Sequence, residues 1–106
     1  MNANVEISSY IDGRYNSEKL RKLKAELEKL FSAKKERQGQ SIPEEGLEVT
    51  ISMSAKYQTP YVKVENWGEY LAVGELEDLV KDALDNRGFE ITGEDGDVDS
   101  FRIDFE

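Results

Sequence analysis

Carboxylates are the most abundant chemically active side chains in this chain. Its 106 residues include 23 Asp and Glu and 14 Lys and Arg, with no histidine and no cysteine, so the formal net charge is −9. The absence of cysteine excludes disulfides, thiolate nucleophiles and Cys-ligated metals. The absence of histidine excludes a Ser-His triad and His-ligated metals. The remaining chemistry is that of carboxylates, hydroxyls and amines.

A pair of carboxylates could act as general acid and base. One of the two would need a raised pKa, caused by burial or by a close like charge. Glu6, Glu48, Glu65 and Glu90 each fall opposite the apolar side of a predicted strand, where water solvates them. The chain also lacks a Gly-rich phosphate-binding motif and a Gly-flanked serine. We therefore predict a protein that is not an enzyme and that has no cofactor.

The acidic run near the C-terminus has the spacing of a calcium loop. Asp95, Asp97, Asp99 and Glu106 occupy positions 1, 3, 5 and 12 of such a loop, where carboxylates converge on one ion. Position 6 is Ser100 instead of glycine, however, and residues 101–105 alternate like a strand. The sequence predicts an acidic hairpin turn and no metal site, with calcium binding as the open alternative.

The second half of the chain concentrates the negative charge. Residues 65–106 contain fourteen Asp and Glu against three Lys and Arg. Four of these acids step by 3, 4 and 3 residues along one face of a predicted helix, and a row of this kind would attract a basic groove. The alternative is that the charge only keeps a small domain soluble. The acids predicted to contact a partner are Glu75, Asp78, Asp82, Asp85, Glu94, Asp95, Asp97 and Asp99.

Aromatic residues cluster between positions 57 and 70. Tyr and Trp are frequent anchors of binding surfaces, but they also pack well in cores and between strands. We include Tyr61, Trp67 and Tyr70 in the predicted partner-binding set. The sequence alone does not show whether the aromatics from Tyr57 to Tyr70 are exposed.

The first half of the chain is locally basic. Residues 14–37 contain nine Lys and Arg against four Glu, a charge that could neutralise phosphates. Phe31 lies among the basic residues but belongs to the apolar side of the predicted helix, so it is not placed for base stacking. Glu18 with Lys22 and Lys24 with Glu28 have the spacing of ion pairs within a helix. The pattern is typical of a solvated helix, and we predict no direct binding of nucleic acid.

Apolar periodicity predicts the elements that carry these residues. Strands are indicated at about residues 4–10, 47–54, 61–65, 89–92 and 101–106, with a turn at 93–97 between the last two. Helices are indicated at about residues 18–37, where the apolar stripe runs from Leu20 to Phe31, and at 75–86, with Gly88 as the helix stop. Residues 38–46 have loop chemistry, and residues 69–73 fit either a short strand or the approach to the second helix.

This order predicts one α+β domain over residues 1–106. We expect a two-layer sandwich with a ferredoxin-like βαββαβ core, an extra C-terminal strand, and two helices on one face of a mostly antiparallel sheet. The N-terminus has no basic and apolar signal segment, and no apolar run approaches the 20 or so residues of a membrane span. The expected location is the cytoplasm.

These features together favour a small acidic binding protein. In size and composition the chain resembles small acidic α+β proteins that phages and mobile elements use to inhibit host defence systems, although the resemblance covers no motif. It implies an inhibitor or regulator that mimics DNA and engages a basic surface of a nuclease or other nucleic-acid-binding protein. The alternative is a structural or assembly protein that self-associates through a sheet edge or through the first helix.

Overall fold

Five strands and two helices make up the described structure. The computed structural model describes residues 4–38, 48–65, 73–96 and 99–106. The elements, in chain order, are β1 (Asn4–Ile7), α1 (Ser17–Gln38), β2 (Glu48–Met53), β3 (Pro60–Glu65), α2 (Val73–Asn86), β4 (Ile91–Gly96) and β5 (Ser100–Phe105). This order of helices and strands agrees with the sequence prediction. Of the predicted loop at 38–46, residues 39–46 lie outside the described residues, as do residues 69–72.

The five strands form one mixed sheet in the order β1-β2-β3-β5-β4. β1 pairs with β2 in parallel, and the other three pairings are antiparallel. The α+β class and the mostly antiparallel sheet are therefore as expected, but the ferredoxin-like order is not confirmed. In that split arrangement another strand separates the two strands joined by the first helix, whereas here they are direct neighbours.

Both helices lie over the same face of the sheet and pack against each other. The buried apolar stripe of α1 consists of Leu20, Leu23, Leu27 and Phe31, while Leu30 is half-buried. The α2 stripe consists of Leu76, Val80, Ala83 and Leu84. The strands contribute the residues that alternate toward the helices, which are Val49, Ile51, Met53, Val62, Val64, Phe101, Ile103 and Phe105. The opposite face of the sheet has no helix over it within the described part of the chain.

Polar contacts fix the facing ends of the two helices. The Asn16 side chain accepts a hydrogen bond from the Lys19 amide at 3.1 Å, which caps α1. At the end of α2 the Phe89 amide donates to the Leu84 carbonyl and the Gly88 amide to the Asp85 carbonyl. This is a Schellman motif, and Gly88 adopts the positive φ of 80° that it requires. The predicted helix stop is confirmed.

The region after α2 differs from its prediction. The turn expected at residues 93–97 is strand up to Gly96, because these residues pair with β5 despite their loop-like composition. Phe89 is buried before the strand begins, and Ile91 is 36% exposed instead of sharing its face. The register shifts between Ile91 and Gly93, which turns the following side chains relative to those before the bulge.

The first strand is also shorter than predicted. It ends at Ile7, and the turns that follow over residues 8–16 bury Ile11 in the hydrophobic core. Among the helices that the structure describes, neither is both long enough and apolar enough to cross a bilayer.

Candidate functional site: an acidic edge

The solvent face of α2 carries a row of carboxylates. Its apolar residues point toward the sheet, and the helical period therefore places Glu75, Asp78, Asp82 and Asp85 on the outer side, where all four are exposed. Helical residues three or four apart have Cβ atoms about 5–6 Å from each other. The row thus forms a line of closely spaced negative charge along the helix.

Strand β4, the outermost strand of the sheet, adds further carboxylates next to this helix. Glu94 and Asp95 on it are both exposed, Glu94 on the helix side and Asp95 on the helix-free side, where its cross-strand partner is Arg102. Glu94 forms an ion pair with Lys81 of α2, which joins the strand to the helix. The Glu77 carboxylate also lies over Gly96, with Oε1 3.5 Å from the position that a Cβ atom would take there.

We call the surface formed by the acids of α2 and β4 the acidic edge. Its members are Glu75, Glu77, Asp78, Asp82, Asp85, Glu94 and Asp95. Lys81 is the basic residue that α2 contributes there. The hydrogen bond that Lys81 donates to Glu94 raises the pKa of Lys81, and the charges of Glu94, Glu77 and Asp78 act in the same direction. Arg102 of β5, the cross-strand partner of Asp95, also borders this surface, and the seven carboxylates still leave it with a net negative charge.

The predicted partner-binding residues do not all lie on this surface. Asp99 is half-buried just before β5. Tyr61 lies on the helix-free face of the sheet, where the Arg102 guanidinium stacks over its ring at 4.5 Å. Asp97, Trp67 and Tyr70 lie outside the described residues. Tyr57, at the tip of the β2–β3 hairpin, is 70% exposed.

A second group of charges occupies the helix-free face. Lys63 and Arg102 are direct cross-strand partners on β3 and β5. Lys63 Nζ lies 3.2 Å from Glu65 Oε1, and Arg102 Nε lies 2.9 Å from Asp104 Oδ1. These two ion pairs are next to an open cleft of about 360 Å³, lined by Tyr61, Lys63, Asp95, Gly96, Ser100, Phe101 and Arg102. Charges of both signs line it, so it favours no single class of ligand.

The calcium-loop alternative is not supported by the strand geometry. Asp95 lies on β4 near the turn into β5, whereas the backbone of Glu106 pairs with that of Glu90 at the other end of the hairpin. Six residues of extended strand, at about 3.3 Å each, separate Glu106 from that turn. Among the described residues, no three acidic side chains are close enough together to hold a metal ion.

Sequence reasoning identified the carboxylate row but not its neighbours. Strand β4 was expected to end before Glu94, so its position beside α2 was missed. The pairing of Lys63 with Arg102 was also missed. A signal for it existed, because both occupy outward positions of alternating strands. Comparison with protein families, with curated proteins and with solved structures finds no match to this chain.

Proposed function

We propose that this chain is a small non-enzymatic binding protein, an inhibitor or regulator whose acidic edge engages a basic surface of a nucleic-acid-handling protein. The observation that carries the proposal is the exposed carboxylate row of α2 beside an edge strand that carries Glu94 and Asp95. Within the described structure, the side-chain carboxylates of Asp78, Asp82 and Asp85 form no hydrogen bond or ion pair. Their charge is therefore directed to solvent.

The dimensions of the row suit a groove that binds phosphates. From Glu75 to Asp85 the helix rises by about 15 Å at 1.5 Å per residue, with a charge roughly every 5 Å. Lys and Arg side chains that neutralise a line of DNA phosphates would be attracted to such a line of carboxylates. A nuclease or another nucleic-acid-binding protein is therefore the class of partner we propose.

The placement of the acids argues against a purely local structural role. Asp78 and Asp82 are four residues apart, a spacing at which like charges slightly destabilise a helix. Asp85 lies in the last turn, where the negative end of the helix dipole disfavours a carboxylate. Acids needed only for solubility could be spread over the molecule. Their concentration on one side supports recognition.

The size and composition of the chain support a more specific version. They resemble those of small acidic α+β proteins with which phages and mobile elements inhibit host defence. In that version the protein acts in the cytoplasm as a mimic of DNA. It would occupy the nucleic-acid channel of its target and compete with the natural ligand.

The alternative of self-association through the first helix has little support. The apolar residues of α1 that would form a helix–helix seam are buried against the sheet. Self-association through a sheet edge would use β1, which has four residues, or β4, whose exposed carboxylates oppose pairing with a second copy. Light scattering at high protein concentration tests this alternative, which requires a dimer or larger species.

The test of the proposed function combines competition with a charge-matched control. A partner is captured from a host lysate, purified, and titrated with the protein in the presence and absence of a 20-base-pair DNA duplex. The proposal expects the duplex to displace the protein. It also expects the triple variant Asp78→Asn, Asp82→Asn, Asp85→Asn to bind at least tenfold more weakly at low salt.

The control variant changes the net charge equally but on the other helix. Glu18→Gln, Glu26→Gln and Glu28→Gln together remove three negative charges from α1. We expect this variant to bind within about twofold of the unmodified protein, because those carboxylates lie outside the acidic edge. Equal weakening by both variants, or binding that DNA does not affect, would overturn the proposal.

A further inference from the structure

Three cationic side chains surround a small cleft where the start of α1 meets the end of α2. The cleft has a volume of about 250 Å³ and is lined by Lys19, Lys22, Asn86, Arg87 and Phe89. Lys19 and Lys22 are three residues apart on α1 and share a face. Arg87 comes from the other helix. Tertiary packing thus concentrates positive charge at one place in a chain whose net charge is −9.

The residues of the cleft are held by a fixed backbone. The hydrogen bond that the Asn16 side chain accepts from the Lys19 amide caps α1 and fixes its first turn. The Schellman motif around Gly88 fixes Arg87 and Phe89. The Asn86 amide nitrogen donates to Glu26 Oε1 at 3.0 Å and so joins the two helices beside the cleft. A ligand would meet an arrangement that is already formed, which lowers the entropic cost of binding.

At least two of the positive charges are free to act on a ligand. Lys19 and Arg87 form no ion pair within the described part of the chain, and their side chains are exposed. Lys22 Nζ lies 3.4 Å from Glu18 Oε1, but both side chains are at least 60% exposed, so this pair is weak and readily exchanged. The Glu26 carboxylate already accepts from Asn86.

We propose that this cleft binds a phosphate group, either free phosphate or that of a small phosphomonoester. The planar guanidinium of Arg87 can donate two parallel hydrogen bonds to phosphate oxygens. Lys19 and Lys22 supply two further positive charges. The largely buried ring of Phe89 forms an apolar wall for the organic part of the ligand.

The surroundings favour a small ligand over a nucleic acid chain. The volume is slightly below the 300–1,000 Å³ that is usual for pockets of drug-sized ligands. Asp82 and Asp85 lie on the same end of α2, and a longer polyanion would extend onto these carboxylates. A single dianionic group can use the three cations without that repulsion. The inference does not rest on the acidic edge having a partner.

The test is a titration followed by ¹⁵N NMR at constant ionic strength. Orthophosphate, phosphoserine and unphosphorylated serine are added separately. We expect saturable shifts of the amides of Lys19, Lys22, Arg87 and Phe89 with the phosphate-bearing probes, and none with serine. Tighter binding of phosphoserine identifies a phosphomonoester as the ligand, and equal binding of orthophosphate identifies free phosphate. Shifts that do not saturate, or that spread over all the lysines, would overturn the proposal.

Variants separate a site from general attraction of anions. Arg87→Gln should weaken phosphate binding at least tenfold, and Arg87→Lys should weaken it less, because the charge remains while the two-pronged donor is lost. Lys29→Gln is the matched control, since it removes one positive charge from an exposed position of α1 outside the cleft. If Lys29→Gln weakened phosphate binding as much as Arg87→Gln, the binding would be general attraction of anions and the proposal would be wrong.

The outcome is independent of the proposed function. The triple Asp→Asn variant of α2 should keep or slightly strengthen phosphate binding while it loses the protein partner. A variant of Arg87 that still shows dispersed native resonances should keep the partner while it loses phosphate. A phosphate affinity that falls when the α2 aspartates are neutralised would contradict the proposal.

Discussion

The two helices have the same apolar pattern but differ in the charges on their solvent faces. Both bury a stripe of four apolar residues at helical spacing against one sheet. On α1 charges of both signs are present, and two pairs are in contact within the helix, Lys22 with Glu18 at 3.4 Å and Lys24 with Glu28 at 3.9 Å. On α2 the exposed charges are mostly negative, and its lysine is engaged by a strand.

The difference separates charges that stabilise their own helix from charges that do not. An exposed pair four residues apart stabilises a helix by about 0.3–0.5 kcal/mol, so the α1 charges contribute to the helix that carries them. The Asp78, Asp82 and Asp85 carboxylates of α2 repel one another, and none of the three forms an ion pair within the described structure. A charged face that stabilises its own helix needs no partner to explain it. A face that slightly destabilises its helix is the better candidate for recognition.

The largest expected effect on stability comes from truncating the buried apolar stripe that both helices have. Leu23→Ala on α1 and Leu76→Ala on α2 each remove a fully buried side chain. Each should lower the free energy of unfolding by about 2–5 kcal/mol, which is the usual range for such core truncations. Urea unfolding followed by circular dichroism measures both. A loss below about 1 kcal/mol at either position would show that the helix packs less tightly than described.

The next effect concerns how α2 ends. Gly88 has a φ of 80°, and a side chain in this left-handed conformation costs about 1–2 kcal/mol. Gly88→Ala should therefore destabilise the protein by about that amount, although a Cβ atom there would meet no other atom within 4 Å. Gly74→Ala, also in open space but in the first turn of α2, is the control. We expect it to be neutral or to stabilise by up to about 1 kcal/mol.

A smaller effect on stability is expected when the exposed carboxylates of the two helices are neutralised. The Asp78→Asn, Asp82→Asn, Asp85→Asn variant should be more stable than the unmodified protein by about 0.5 kcal/mol, since it removes repulsion within α2. Glu18→Gln with Glu28→Gln should be less stable by a similar amount, because two ion pairs of α1 are lost. Thermal unfolding at low and high salt measures both changes, and salt should reduce each of them. Changes of the same sign would contradict the comparison.

The smallest effect concerns the contact between the approach to α1 and the segment after α2. Tyr15 packs against Phe89 and Phe105, and burial, followed by the negative charge of Glu106, raises the pKa of its phenol. The folded protein therefore holds this proton more tightly than the unfolded chain does. The resulting stabilisation is complete below about pH 10 and decreases as the pH rises through the folded-state pKa.

Tyr15→Phe isolates this pH dependence. The free energy of unfolding of the unmodified protein should fall more steeply above pH 10 than that of the variant, with the two curves parallel below pH 9. Denaturant titrations at pH 8, 9, 10 and 11 give the comparison. Glu106→Gln should reduce the slope in part. Parallel curves over the whole range would show that Tyr15 ionises as freely in the folded state as in the unfolded one.

Local patterns in the sequence were sufficient to predict most elements. The spacing of Leu20, Leu23 and Leu27 and the stop at Gly88 depend only on residues close in the chain, and both agree with the structure. Strand β4 was misjudged because its composition resembles a turn, and only its pairing with β5 makes it extended. The strand order was missed for the same reason, since long-range pairing decides it.

The candidate site likewise combines features that follow from local sequence with features that depend on long-range packing. The carboxylate row of α2 follows from helical periodicity, so the sequence alone predicts it. The position of β4 beside that row and the approach of Arg87 to Lys19 join residues about 13 to 68 positions apart. Nothing in the local sequence contains such information.

The position of β5 between β3 and β4 has a consequence for how the protein reaches its folded state. Strand β4 comes earlier in the chain than β5, yet it is held in the sheet by β5. During synthesis on the ribosome, β4 therefore remains unpaired until the following strand has emerged. Deletion of residues 100–106 should release β4 as well, and a synthetic peptide of that sequence would restore both strands to the sheet at once.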